Sequence, residues 1–282
     1  MTPIALLHPS LSDNVINPFR HICSDLSIQN QITEHTSAAL IFGGDGTIHR
    51  HLPELSRRKI PTLVVPKGSG NDFAKTLGIK NEQTALAAWE TFCERGNNVR
   101  AIDLGVVRSE ESGQETLFCC VAGCGLDAAA NARANRMPGW LRSHGGYLLA
   151  LSHSLAIAKA VKMKLTAADR KISNEAFLIA IGNAHRYGSG AKITPKAQLD
   201  DGLLDACFVG SMSKFKLLLC LPTVFLGRHL GIKQVDHLQA PVLRLATEHP
   251  VAIYADGEPA GRTPARLSIV PRALRVIVPA QP

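Results

Sequence analysis

Two short apolar runs in this chain each end in a glycine-rich turn that leads into a helical pattern. Ala38 to Phe42 runs into Gly43-Gly44-Asp45-Gly46-Thr47, and Thr62 to Val65 runs into Pro66-Lys67-Gly68-Ser69-Gly70-Asn71-Asp72. A buried strand, a turn poor in Cβ atoms and a helix start make one βα unit. With the earlier apolar run Ile4 to Leu7, these units predict a parallel, doubly wound sheet. In such a sheet the turns after neighbouring strands open on one crevice at the carboxyl ends of the strands. Glycines there let backbone N–H groups approach a phosphate closely, and the helix N-terminus adds a favourable dipole.

The spacing excludes two familiar phosphate sites. There is no GxxxxGK[ST], and no GxGxxG followed by an acidic residue about 20 positions on. Asp45 stands out because a carboxylate repels phosphate unless a divalent cation or a hydrogen-bonding partner lies beside it. It fits a magnesium-assisted phosphate site, and it equally fits a tight turn with a capping Asp. Further along, Gln198-Leu199-Asp200-Asp201-Gly202-Leu203-Leu204-Asp205 gathers three carboxylates around a glycine. That is a candidate for a hard cation or an Asp-Gly turn between strands. Asp256-Gly257-Glu258 reads locally as a hairpin turn.

The rest of the chain sets the frame. A helix is predicted from the N-cap Asn81 to a stop before Gly96, with Ala85, Trp89, Phe92 and Cys93 on one face. Near Ala101 the character turns to β. Val99 to Val107 and Thr116 to Ala122 flank a hairpin-type connection at 110–114. Further strands are expected at Ala176 to Ile181, Leu203 to Val209, Val242 to Leu245, Val251 to Tyr254, Arg266 to Val270 and Arg275 to Val278. Helices are expected over Gly146 to Leu165 and over Ser213 to His229. The first of these reads as a core-packed helix with cations at its end, or as a surface approaching anionic lipid. The division is therefore an α/β domain over 1–101 and a mostly antiparallel β-domain over 102–263, with 264–282 returning to the first.

Composition narrows the partners. The 31 Lys and Arg against 23 Asp and Glu give +8, which favours anionic ones. Aromatics are 5% and nowhere interleave with basic residues, so nucleic acid is not expected. No apolar run reaches the length of a membrane span, and the N-terminus lacks the pattern of a signal peptide. Seven scattered cysteines without a CxxC pair read as reduced, mostly buried thiols of a cytoplasmic protein.

GGDGT at 43–47, PKGSGNDFAKTLG at 66–78, GCGLDA at 123–128, NAHRYGSGAKITPKAQLDDGLL at 183–204 and DGE at 256–258 occur in the order of the diacylglycerol kinase catalytic-domain family of lipid kinases, which the chain resembles over most of its length. GGDGT is shared with NAD kinases, whereas Asn71-Asp72-Phe73 and LDDG at 199–202 favour the lipid-kinase branch. The resemblance implies a nucleotide-binding α/β domain followed by a β-sandwich-like domain, with ATP between them. It implies that Gly43, Gly44, Asp45, Gly46, Thr47 and His49 lie over the ATP phosphates, with Gly68, Ser69, Gly70 and Asn71 in a second nucleotide turn. Asp201, with the backbone carbonyls of Gln198 and Leu203, would match a structural Mg²⁺ site. Glu258 would be the general base, with Asp256 beside it and Asp45 directed toward phosphate or acceptor. The expected activity is an ATP- and Mg²⁺-dependent transfer of the γ-phosphate to a lipid hydroxyl, diacylglycerol or a relative, by a protein that visits an anionic membrane surface. A homodimer is compatible with this reading. An NAD kinase-type phosphotransferase and a weakly catalytic nucleotide- or lipid-binding regulator remain the alternatives. The chain departs from the family at its first strand, which leads into His8-Pro9-Ser10-Leu11-Ser12 where relatives carry Asn-Pro-x-Ser-Gly. It departs again at Arg50 and Lys75, where relatives often carry Glu and Arg.

Overall fold

The computed structural model describes residues 2–126, 128–129, 133, 154, 157–188 and 190–280. The chain divides into two compact units: residues 1–104 with 271–282, and residues 105–270. The sequence-based division fell at 101 and 264.

The first unit is built on strands whose side chains are apolar on both faces, as a covered parallel sheet requires. β1 (Thr2–Leu7), β2 (Ser27–Ile28), β3 (Thr36–Gly43) and β4 (Thr62–Pro66) pair in parallel in the order β2-β1-β3-β4, with Leu6 opposite Ile41 and Ile41 opposite Val64. The end of the last strand, β15 (Ala265–Ile277), extends this sheet in parallel, with Val276 opposite Thr62. Helix α1 (Asn17–Ile22) sets Phe19 edge-to-face on Phe42 of β3, their centroids 5.1 Å apart. Helix α2 (Asp45–Arg58) buries Ile48, Leu52 and Leu55, one stripe at helical spacing. The short α3 (Asp72–Thr76) follows β4. In α4 (Glu82–Arg95), Trp89 is buried and its Nε1–H donates to the Phe19 carbonyl at 3.2 Å. The start of β5 (Val99–Ser109) closes the unit: buried Asn98 donates to the carbonyls of Ala88 and Val278, and Asp103 Oδ1 accepts the Arg272 N–H at 2.7 Å.

The second unit is mostly antiparallel. The later part of β5 forms a hairpin with β6 (Glu115–Phe118), where Gly105 opposite Phe118 leaves room for the ring that a Cβ would strike. β7 (Val121–Gly125) and β8 (Val161–Thr166) both pair with the long β9 (Lys171–Gly182). β9 also pairs with β10 (Leu204–Gly210), and helix α5 (Lys214–Phe225) follows β10. β11 (Val235–Ala240) pairs with β10, and β12 (Val242–Thr247) pairs with β8 and with the start of β15. β13 (Ala252–Ala255) pairs with β7 and, as a hairpin, with β14 (Glu258–Arg262). One face of β9 and β10 enters a core with Phe118, Ile179, Ile181, Phe208, Leu243 and Leu267.

Several expectations are corrected. The helix expected over 146–165 lies mostly outside the described residues, and its last five residues are strand β8. Val161, Met163 and Leu165 alternate with Lys162 and Lys164, a period of two, and Met163 and Leu165 are buried while Lys162 is exposed. The strand expected over 116–122 breaks at Cys119-Cys120. The two last expected strands are one, carried past Pro271 by a left-handed Arg272 (φ 48°). Cys93 sits on the exposed side of α4, although five of the seven free cysteines are buried.

The α4 terminus was the clearest local signal, and it folds as a reciprocal cap. Asn81 Oδ1 accepts the Thr84 N–H at 2.9 Å, Thr84 Oγ1 accepts the Asn81 N–H, and Gly96 ends the helix at φ 63°. Replacing Asn81 with Ala removes one half of this cap and should cost about 1 kcal/mol. A urea titration should show a lower midpoint with an unchanged slope.

Candidate functional site

The two glycine turns meet through their backbones. β3 and β4 end side by side, with Gly43 opposite Pro66, and the Lys67 N–H donates to the Gly43 carbonyl at 3.0 Å. A Cβ at Gly68 would lie 2.5 Å from the Gly44 Cα, and one at Gly44 would lie 3.1 Å from the Gly68 Cα. Backbone is the obstacle on both sides, so no side chain can move aside to admit it. Gly43 is closed in from another direction, because the Thr47 side chain occupies the place of its Cβ. Asn71 holds the second turn in shape from a left-handed conformation (φ 54°). Its Oδ1 accepts the Gly68 N–H at 2.9 Å and its Nδ2 donates to the Gly68 carbonyl at 2.6 Å.

Asp45 is the tie between the turns. Its Oδ2 accepts the Asp72 N–H at 3.1 Å and its Oδ1 the Phe73 N–H at 3.0 Å. The carboxylate of the first turn thus caps the helix that leaves the second, the capping alternative raised by the sequence, though on the neighbouring turn. Such a carboxylate meets the positive end of a helix. Gly46 and Ser69 are exposed and His49 is half-buried in the second turn of α2. Two cations border the second turn: Lys75 Nζ donates to the Gly70 carbonyl at 2.8 Å, and Lys67 pairs with Glu82. At the end of β1, His8 Nδ1 accepts the Ser10 N–H at 3.3 Å and lies 2.7 Å from Ser10 Oγ. An imidazole there closes the turn as an Asn side chain does in an Asx turn.

In the second unit, Asp256 and Gly257 are the two central residues of the β13–β14 hairpin, both left-handed (φ 50° and 89°), with Ala255 opposite Glu258. This is the conformation that Asp-Gly favours in a two-residue hairpin. The Asp256 carboxylate does more than turn the chain. Its Oδ2 accepts the Cys119 N–H at 2.7 Å, and its Oδ1 accepts those of Cys120 and Val121 at 2.8 and 3.1 Å. Three successive N–H groups turned to one carboxylate cannot also serve a ladder, which is why the strand breaks between β6 and β7. Among the described residues, Cys119, Cys120 and Asp256 are also the one group of three potential ligand side chains close enough to share an ion. Glu258 itself is exposed at the start of β14.

The three carboxylates at 200–205 do not gather. Asp205 is buried on β10, where its oxygens meet His237 Nε2 at 2.7 Å and Gln239 Nε2 at 3.1 Å. Asp200 and Asp201 are exposed on the preceding turn. Asp201 Oδ1 accepts the Leu203 N–H at 3.0 Å, with Gly202 left-handed (φ 73°) between them. Gln198 is exposed and Leu203 half-buried on the same turn.

The sequence reading missed an apolar cavity of about 60 Å³ in the second unit. Leu178, Val209 and Val235 form its strand side, and Leu217, Leu221 and Val224 of α5 its helix side. His229 closes one end and its Nε2 donates to the Ile193 carbonyl at 2.9 Å. Burial, above all, pulls the pKa of that ring down and favours the neutral form. What the sequence does show is that 214–226 carries apolar residues on two sides of a helical wheel, separated by Lys214 on one edge and Lys216 on the other.

Comparison with known proteins finds two family models in succession along the chain. Residues 12–107 match the diacylglycerol kinase catalytic domain, and residues 120–278 match the YegS C-terminal NAD kinase beta sandwich-like domain. A diacylglycerol kinase of Mycobacterium tuberculosis (strain ATCC 25618 / H37Rv) is 33% identical over 256 residues, covering 88% of this chain and 79% of its own. The "Probable lipid kinase YegS-like" of Pseudomonas aeruginosa (strain UCBPP-PA14) is 29% identical over 241 residues, 84% of this chain and 75% of its own. A crystal structure of a diacylglycerol kinase from Bacillus anthracis str. Sterne shares the fold, with a TM-score of 0.74 at 21% identity and coverage of 98% of this chain and 96% of that one. This chain therefore belongs to the diacylglycerol kinase catalytic-domain family and is a lipid kinase, an α/β catalytic unit joined to a mostly antiparallel YegS-type β unit.

Proposed function

We propose that this lipid kinase transfers the γ-phosphate of ATP, with Mg²⁺, to the free hydroxyl of diacylglycerol. The observation that carries the nucleotide assignment is the contact of the two glycine turns. A Cβ at either Gly44 or Gly68 would fill the space between them, so the pair has the build of a backbone cradle for phosphate. Gly43 to Thr47 and Gly68 to Asn71 would hold the phosphates, with Ser69 and His49 alongside. Asp45 acts as a positioning residue, because its oxygens are engaged by the Asp72 and Phe73 N–H groups.

The Asp201 turn fits a magnesium ion in its chemistry, since a carboxylate and the carbonyls of Gln198 and Leu203 are all hard oxygen donors. When bound, the ion would offset the negative charge of Asp200 and Asp201 and brace their turn. The transfer itself needs little covalent help from the protein. The acceptor oxygen bonds to the γ-phosphorus as the bond to the ADP oxygen breaks. Glu258, exposed and acceptor-only when ionised, takes the hydroxyl proton. Asp256 fixes the hairpin that presents it. The apolar cavity beneath α5 supports an acceptor with hydrocarbon chains, and the names of the relatives support diacylglycerol among such acceptors.

The direct test is incubation with labelled ATP and Mg²⁺ in the presence of diacylglycerol micelles, NAD or no acceptor. Label in the lipid phase is expected; label in NAD, or saturable nucleotide binding without turnover, would overturn the assignment. Glu258→Gln should lower kcat by roughly 10²- to 10⁴-fold with ATP binding kept. An equal loss of ATP binding would remove the base role. Asp45 should be sensitive to shape before charge. Asp45→Asn keeps one acceptor for the α3 N–H groups and should retain measurable turnover with a raised KM for ATP, whereas Asp45→Ala should abolish it. Equal inactivity of both variants would mean that the charge acts directly.

A further inference from the structure

Helix α5 is apolar on both faces, and the β-sheet covers one. Its inner side carries Leu217, Cys220 and Val224 toward the strands and the cavity. Its outer side carries Phe215, Leu218 and Leu219, which are 71%, 51% and 59% exposed, and Leu226 just beyond its end is 62% exposed. These four positions fall within one side of a helical wheel at 3.6 residues per turn, so they form a single stripe and not scattered singles. An apolar stripe of this kind marks a surface that is covered in use. The charge along its own segment has one sign. Lys214, Lys216, Arg228 and Lys233 lie in 211–235, and that segment contains no Asp or Glu.

We propose that the outer face of α5 is the element by which this protein docks on an anionic bilayer. Phe215, Leu218, Leu219 and Leu226 enter the interface between headgroups and chains, and the flanking lysines and arginine lie at headgroup level. This inference rests on the lipid-kinase reading for its purpose, because an acceptor with hydrocarbon chains resides in a bilayer. Its physical basis is independent of that reading. An apolar stripe rimmed by cations is complementary to anionic lipid both in hydrophobicity and in charge. A second copy of the chain is a poorer fit. One face of a 12-residue helix covers roughly 200 Å² at 1.5 Å per residue, against about 800 Å² per partner in a standard interface. It would also bring two clusters of like charge together. A bilayer sets no minimum area, and every basic residue of the rim favours it. The same helix carries the cavity on its inner side, so docking would bring the cavity wall to the hydrocarbon boundary.

The test uses the full chain and vesicles of phosphatidylcholine alone or with about one-quarter phosphatidylglycerol. Flotation should recover the protein with the anionic vesicles and much less with the neutral ones. Leu218→Ser/Leu219→Ser should lower the bound fraction about tenfold or more, and Lys214→Glu/Lys216→Glu should abolish the preference for anionic lipid. None of these four side chains lines the cavity, so turnover of a short-chain, water-soluble diacylglycerol should stay at the wild-type level in both variants. Circular dichroism checks that each remains folded. Wild-type vesicle binding by the serine variant would overturn the proposal, as would a wild-type protein that stays off anionic vesicles. A dimer in light scattering that the serine variant converts to monomer would assign the face to a second copy and overturn it as well. Vesicle binding with no turnover of any acceptor would instead count against the kinase assignment and leave the docking face in place.

Discussion

The contact between Gly44 and Gly68 is the constraint around which the first unit is arranged. Two parallel strands in register end at the same level, and their connections leave on the same side. They can do so without collision because neither turn carries a Cβ at the point of contact. Once the backbones are that close, their polar groups need partners. The Lys67 N–H finds the Gly43 carbonyl, the Asn71 amide takes both polar groups of Gly68, and the Asp45 carboxylate takes the first N–H groups of α3. Each partner is a short side chain or a backbone atom with little rotamer freedom to lose, so the turns are held at low entropic cost. A cradle shaped in advance suits phosphoryl transfer, which depends on position more than on covalent chemistry.

The acidic residues divide by what their oxygens touch. Asp45 and Asp256 both accept successive backbone N–H groups and so belong to the frame, although both stand inside motifs that look like reaction machinery. Asp205, in the middle of an acidic segment, belongs to a buried strand with His237 and Gln239. Asp201 and Glu258 are exposed, on a turn and at a strand start, where a ligand can reach them. Asp45 and Asp256 hold their loops through both oxygens, Asp201 braces its own turn through the Leu203 N–H, and Glu258 stands exposed at the start of its strand.

The parts of this arrangement that were legible in the sequence are those encoded locally. Parallel strands showed as apolar runs, and the α4 cap at Asn81 and the Asp-Gly hairpin at 256–257 are each determined by neighbours two or three positions away. What was hidden is long-range in the chain. Nothing near Asp45 announces that it caps a helix 27 positions on. Nothing near Cys119 announces that its N–H turns to a carboxylate 137 positions away and breaks a strand. At 161–165 the lysines suit the cationic end of a helix, although their alternation with Val161, Met163 and Leu165 carries the period of a strand. Here a composition cue competed with a periodicity cue, and the pairing of β8 with β9 and β12 decided for periodicity.

Helix α5 shows a different limit of sequence reading. A segment with apolar residues on two opposite sides is ordinarily a buried helix, because a soluble chain gains by covering both. In this unit the strands cover one face, and the other retains Phe215, Leu218 and Leu219 among basic neighbours. Exposing such a stripe to water has a cost that folding alone does not offset, so its persistence calls for a second environment that relieves it. The inner face gives the complementary clue. A helix wedged tightly onto β9 and β10 would leave no cavity, but Leu217, Leu221 and Val224 leave one that opens among apolar side chains. Among the described residues, α5 is the helix whose inner side borders an apolar cavity and whose outer side is bare, so apolar material could cover it from both directions.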